Sequence, residues 1–338
     1  MIRPENIKRG DMIAVTAVSD GVDDELDKMR FENAKDILEK KGYNVFFTPD
    51  VFNVEEMGKS ATGKQRAEEF NKLFEQENLS YIVSAKGGNF LNEMMEFVDF
   101  EKIAYHPKWF QGYSDNTWLV NTITTKCDIM TIYGNNFGEY GMEKWHRSVD
   151  DNLRIMEGED VIQNSFKKYQ ENFSERVTGL EGYVEDKDVI VTCSVKGENS
   201  VEFSGRLIGG CLDVLAIMHG TQYDNVEQFV DRYKDDGIIW YLESFDFSAE
   251  NFIIMLWKLK ESGWFSNVNG IIFGRPLFFR EAFGMNYEET VMYALGSLDV
   301  PIIFDADIGH RGPRFTIING AKAKVVYKDN SISLKYIR

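Results

Sequence analysis

Lys108-Trp109-Phe110-Gln111-Gly112-Tyr113-Ser114-Asp115-Asn116, followed by TWLVNTITT over residues 117–125, decides how this chain is read. The first three residues read as the end of a buried strand. Residues 117–125 read as a helix, a mediocre one in isolation because so many of its residues are β-branched. A serine at such a strand-to-helix corner lifts its hydroxyl above the sheet edge. The amide of the next residue, at the helix start, can receive a developing negative charge. Gly112-Tyr113-Ser114-Asp115-Asn116 departs from the Gly-x-Ser-x-Gly nucleophile elbow only at its last position. The same residues also fit a plain helix cap, for which serine and aspartate are favoured. The rest of the chain has to separate the two readings.

Upstream, residues 12–18 form a short, almost wholly apolar run, as a parallel strand covered on both faces requires. Residues 23–41 carry Leu26, Met29, Ala34, Ile37 and Leu38 at helical spacing and stop at Gly42, a C-cap signal. Strand-like runs at 43–48, 81–85 and 130–133 alternate with helical patterns at 62–75 and 91–97. Alternation of this kind predicts an α/β domain with a mainly parallel sheet, whose working rim lies beyond the carboxyl ends of the strands. Gly87-Gly88 and Ser114 both follow strand ends, so they are expected on one rim.

From residue 138 to about 182 the pattern loosens into a polar stretch with scattered aromatics, which reads equally as a substrate loop or as a surface excursion. The second half resumes with strands at 189–193, 201–207, 237–243, 270–274 and 301–305. Gly209-Gly210 reads as a tight turn into a helix, and helices are expected at 249–262 and 287–298. The tail at 315–318 and 324–336 reads as antiparallel strands. The predicted organisation is an N-terminal α/β domain over 1–140 carrying the nucleophile, a linker and substrate loop over 141–185, and a C-terminal β-rich α/β domain over 186–338, with the active site between the two domains.

With 338 residues there is ample material for two cores, and 28% charged residues is ordinary for a globular protein. A net charge of −17 argues against nucleic acid polymers and anionic membranes as partners. Cys127, Cys193 and Cys211 are odd in number and lie in apolar surroundings, which suits free thiols in a reducing compartment. The first apolar run is too short for a signal peptide or a membrane span, so a cytoplasmic protein is expected.

Four histidines, His106, His146, His219 and His310, show no metal-ligand spacing, and no Cys-x-x-Cys, phosphate loop or dinucleotide fingerprint is present. Neither a metal nor any other cofactor is expected. What remains is an acyl-transfer set. Serine needs a base, and histidine titrates near working pH. His310 follows a strand within glycine-containing turns, whereas His106 precedes proline and His219 ends a helix. Glu243 terminates the apolar run IIWYLE, where an ionised side chain is costly unless partnered, although it also fits a strand-end glutamate at the water line. Ser114, Glu243 and His310 each stand just past a strand end, where a nucleophile, an acid and a base are needed.

GYSD at Ser114, GRLIGGCLDVL over 205–215 followed by Gly220-Thr221, Leu242-Glu243, and DADIGHRGP with TIINGAKAKV over 305–325 together resemble the LD-carboxypeptidase family of serine peptidases. The resemblance runs in order from about residue 10 to the C-terminus. It implies Ser114 as nucleophile, Glu243 as orienting acid and His310 as general base. It also implies an oxyanion hole from the amides of Asp115 and the Gly87-Gly88 turn, with Gly88 preferred, and a homodimer. Lys86, Ser244 and Asn319 depart from the common pattern of arginine, an acid and proline. Tyr133-Gly134-Asn135-Asn136-Phe137 is closer to the microcin C resistance (MccF-like) branch than to the cell-wall enzymes. The expected activity is therefore hydrolysis of the amide between a C-terminal aminoacyl group and a nucleotide-like moiety. Asn135 and a base-stacking Tyr183 or Phe173 are expected at the substrate. A muropeptide LD-carboxypeptidase removing D-alanine is the alternative substrate reading. A two-lobed binding protein without chemistry is the alternative of another class.

Overall fold

The computed structural model describes residues 1–198 and 200–337. Two compact units result: one from Met1–Glu159, Ser174–Tyr183 and Phe315–Asn319, the other from Asp160–Phe173, Val184–Arg314 and Gly320–Arg338.

In the first unit, β1 (Met12–Thr16), β2 (Asn44–Phe47), β3 (Leu79–Ser84), β4 (Trp109–Gly112) and β5 (Thr131–Tyr133) pair in parallel in the order 5-4-3-1-2. Four of the five residues of β1 are buried, as its apolar run predicts. The helices start where short polar side chains replace missing backbone partners. Asp24 accepts from the amides of Leu26 and Asp27 at the start of α1 (Glu25–Lys40), and Thr62 with Gln65 closes a capping box on α2 (Gly63–Phe74). After α3 (Phe100–Tyr105) and β4 comes α4 (Thr117–Cys127), buried over residues 117–125. Tertiary burial therefore sustains the helix that β-branching weakens. Its threonines are also occupied, with the Thr117 hydroxyl donating to the Ser114 carbonyl at 2.7 Å and the Thr125 hydroxyl to Asn121 at 2.9 Å. The helical pattern at 91–97 resolves as a 3-10 segment whose first amide, of Leu91, is committed to the Asp115 carboxylate at 2.9 Å. The helix α5 (Arg147–Met156) is capped by His146.

The second unit contains an eight-stranded sheet. β6 (Gln163–Asn164), β9 (Thr192–Cys193), β10 (Ser200–Cys211), β11 (Ile238–Glu243), β13 (Val268–Gly274), β15 (Ile302–Ala306), β17 (Lys322–Lys328) and β18 (Ser331–Tyr336) lie in the order 6-18-17-10-11-13-15-9, with 10, 11, 13 and 15 parallel. Two minor pairs, β7 (Lys168–Tyr169) with β8 (Lys187–Asp188) and β12 (Asp246–Ser248) with β14 (Phe278–Arg280), complete it. The helices are α6 (Leu212–Met218), α7 (Val226–Arg232), α8 (Ala249–Glu261) and α9 (Tyr287–Leu295). The turn expected at Gly209-Gly210 is instead the last part of β10. Gly209 runs so close to β11 that a Cβ would stand 1.7 Å from the Tyr241 carbonyl oxygen, so glycine here permits strand contact rather than a turn.

The strand β16 (Ile317–Asn319) is antiparallel to β5 and extends the first sheet, whereas β17 and β18 form a hairpin in the second. Among the described residues no helix is long and apolar enough to cross a membrane.

Candidate active site

Four loops leave the carboxyl ends of β1, β3, β4 and β5, and they carry Ser19-Asp20, Lys86-Gly87-Gly88, Tyr113-Ser114 and Asn135-Asn136. Ser114 itself holds φ +66°. A non-glycine residue in the left-handed region costs on the order of 1–3 kcal/mol and persists only where its surroundings over-determine it. The surroundings do so here. Tyr113 N–H donates to Asn136 Oδ1 at 3.1 Å, Ser114 N–H to the Tyr133 hydroxyl at 3.2 Å, and Asn116 Nδ2 to the carbonyls of Tyr113 and Lys86 at 2.9 and 3.2 Å. Asp115 is buried, and its carboxylate accepts from the Ser19 hydroxyl at 2.5 Å as well as from Leu91 N–H. Burial raises the Asp115 carboxyl pKa against these hydrogen bonds.

Of the two glycines, Gly87 is the one packed on the serine. A Cβ built on it would lie 3.2 Å from Ser114 Oγ and 3.7 Å from the Asp115 amide nitrogen. Gly88 packs instead on Ser19 and Asp20, where a Cβ would meet Ser19 Oγ at 2.3 Å and Asp20 Oδ1 at 2.2 Å.

Asp20 lies under that turn, and its amide donates to the Gly87 carbonyl at 3.2 Å. Burial raises its carboxyl pKa to about 6, partly opposed by Lys86. The folded state therefore holds a proton that the unfolded chain releases near pH 4, so stability falls as pH rises from about 4 through about 6. Asp20→Asn is expected to remove this loss. Allowing for partial exposure, its advantage over the parent should be about 1–2 kcal/mol at pH 8 and close to nothing at pH 4. Melting temperatures of both proteins across that range test it, and parallel curves would refute it.

In the second unit, Glu243 closes β11 and His310 follows β15. His310 Nδ1 is 2.9 Å from Glu243 Oε2, with side chains 6% and 0% exposed. Glu243 is thus the partnered buried acid that its apolar run requires. The rings of Phe245 and His310 meet in a T-shaped pair with centroids 4.9 Å apart, and the Arg314 guanidinium donates to the Gly309 carbonyl at 2.8 Å. Cys211, level with Glu243 in β10, has its thiol pKa raised well above normal by burial and then by the Glu243 charge, which keeps it neutral and unreactive.

Gly309 holds φ +99°, and a Cβ there would stand 2.6 Å from Glu243 Oε2. Gly309→Ala is expected to cost about 1–3 kcal/mol of stability and to lower turnover with it. Thermal melting and kcat check this; a variant that matches the parent in both would sink it.

The remaining candidates are placed as follows. Asn135 is buried, and its carbonyl accepts from Gln111 Nε2 at 2.7 Å. Tyr183 belongs to the first unit, its ring 5.7 Å from that of His146. Phe173, 64% exposed, belongs to the second, 6.4 Å from Phe278. His219 pairs with Asp224 at 2.7 Å, as a structural histidine does. Sequence reasoning missed Ser19, Asp20 and Tyr133 as supports of the serine. Each acts on a residue far along the chain, and only their positions at strand ends hinted at it.

Two family models match the chain: the LD-carboxypeptidase N-terminal domain over residues 13–134 and the LD-carboxypeptidase C-terminal domain over 204–325. A putative carboxypeptidase of Vibrio cholerae is 25% identical over 320 residues, 90% of each chain. The microcin C7 self-immunity protein MccF of Escherichia coli is 25% identical over 316 residues, covering 91% of this chain and 88% of that one. A solved structure of the latter in complex with aspartyl sulfamoyl adenosine superposes with a TM-score of 0.79 at 24% identity, over 99% of this chain and 98% of that one.

Proposed function

This chain belongs to the LD-carboxypeptidase family of peptidases, and we propose on that footing that it is a serine hydrolase cleaving the amide between a C-terminal aminoacyl group and a nucleotide-like moiety. The observation that carries the reading is the left-handed Ser114 at the end of β4, over-determined by its neighbours and backed by Gly87. The buried His310–Glu243 pair supports it from the second unit. The substrate is supported by the relation to the self-immunity protein, which has been solved with an aspartyl sulfamoyl nucleoside, and by the Tyr133–Phe137 segment.

In this reading Ser114 Oγ attacks the acyl carbon while His310 Nε2 takes its proton. Glu243 holds the imidazole by Nδ1 and stabilises its charged form. The carbonyl oxygen becomes an oxyanion received by the amides of Asp115 and the Gly87-Gly88 turn. Collapse breaks the amide bond, and the imidazolium gives its proton to the leaving nitrogen. Water, deprotonated by His310, then releases the acyl group and restores the serine. Phe173, the exposed ring of the substrate loop, is the side chain suited to stack on a base.

Incubation with aspartyl sulfamoyl adenosine and with a tetrapeptide muropeptide, followed by mass spectrometry, tests the proposal. Cleavage of the first supports it. Loss of D-alanine from the second alone replaces the substrate reading with that of a murein carboxypeptidase. No cleavage of either, together with no labelling by a fluorophosphonate, leaves a binding protein.

A further inference from the structure

A recess of ≈ 320 Å³ in the first unit has Gly87 and Tyr113 in its wall, so it opens directly beside Ser114. That volume falls among small-ligand sites. Its charged lining is Asp27, Glu139, Lys86 and Arg176. Asp27 is shared by both cations: Lys86 Nζ lies 3.2 Å from Oδ2, and Arg176 Nη1 bonds Oδ1. Glu139 is offset by Arg30, whose buried guanidinium donates to the carbonyls of Gly138, Gly179 and Glu181. The lining itself holds two cations and two carboxylates, with Arg30 buried behind it. Over the whole chain acids prevail, with 55 acidic against 38 basic residues. An anionic ligand is repelled by most of this protein, and at this spot it meets two cationic side chains gathered beside the serine. Asp27 also holds the two cationic side chains in place, which lowers the entropy lost on binding.

We propose that this recess binds an anionic group of the substrate through Lys86 and Arg176 and so sets the scissile carbonyl over Ser114. The anion is either a carboxylate of the aminoacyl part or the phosphate-like group of the nucleotide part. The proposal rests on Ser114 being the nucleophile, and fluorophosphonate labelling of the unsubstituted protein reads that premise separately.

The test is calorimetric titration of the Ser114→Ala protein with two pairs of probes that differ in charge: acetyl-aspartyl-amide against acetyl-asparaginyl-amide, and adenosine 5′-monophosphate against adenosine. The anion of one pair is expected to bind at least about tenfold more tightly than its neutral counterpart, a difference of about 1.4 kcal/mol, and that pair identifies the source. Adding Lys86→Glu and Arg176→Glu should bring the ratio to about one. Lys86→Met with Arg176→Met, which keeps the stems, serves if the reversals fail to fold. The proposal is overturned if neither pair shows a preference in the Ser114→Ala protein, or if the preference survives loss of both cations.

Discussion

Ser114→Ala is expected to reduce turnover by about 10⁴–10⁶, the range seen when a triad nucleophile is removed. Removal of a helix cap leaves activity intact and costs only about 1 kcal/mol of stability, so the magnitude separates the two readings of this residue. A second substitution sharpens the contrast. Ser114→Gly should be as inactive as the alanine variant yet more stable than the parent, because glycine adopts φ +66° without the strain that serine bears. Relief of about 1 kcal/mol corresponds to a rise of about 2–4 °C in Tm for a unit of this size. Steady-state rates, fluorophosphonate labelling and thermal melts of both variants measure all of this. Turnover in Ser114→Ala within tenfold of the parent would end the serine mechanism.

Glu243→Gln should lower kcat by about 10³–10⁴ while leaving the fold intact. The substitution is nearly isosteric and removes a charge from a side chain that is 0% exposed, so stability has little to lose. Chemistry has much to lose. In the proposed mechanism the carboxylate, 2.9 Å away, accepts the Nδ1 proton of His310 and leaves Nε2 bare as a base. A carboxamide can present its N–H₂ to Nδ1 instead, which moves the imidazole proton to Nε2 and disables it. It also removes the charge that stabilises the imidazolium. The effect therefore falls on kcat and on the fluorophosphonate labelling rate, with KM little changed. His310→Gln should be of comparable severity. A Glu243→Gln enzyme within tenfold of the parent kcat would show that Glu243 merely fills space at the end of β11.

Much of the candidate chemistry was legible because the signals were local. Short apolar runs ending in Ser114, Glu243 and His310, and glycines beside two of them, are patterns of a few residues. The supports were not legible. Ser19 and Asp115 are 96 positions apart, and Arg30 reaches a carbonyl 149 positions away; no periodicity encodes such distances. The same holds for residues 317–319, which look like part of a C-terminal β ribbon and pair with β5 instead. Gly209 lies in a strand rather than the expected turn, because a glycine that admits a neighbouring strand and a glycine that makes a turn are written alike.

By itself the sequence determined the alternation of strands and helices, the corner at Ser114 and the strand-end positions of Glu243 and His310, because burial periodicity and turn chemistry act over one or two turns of chain. Tertiary structure alone decided that Ser114 is held at positive φ, that Gly87 rather than Gly88 packs on it, that Glu243 is fully buried against His310, and that Lys86 and Arg176 share Asp27. Each of these depends on which distant atoms come within hydrogen-bonding or van der Waals range, and that is set by packing rather than by neighbouring residues.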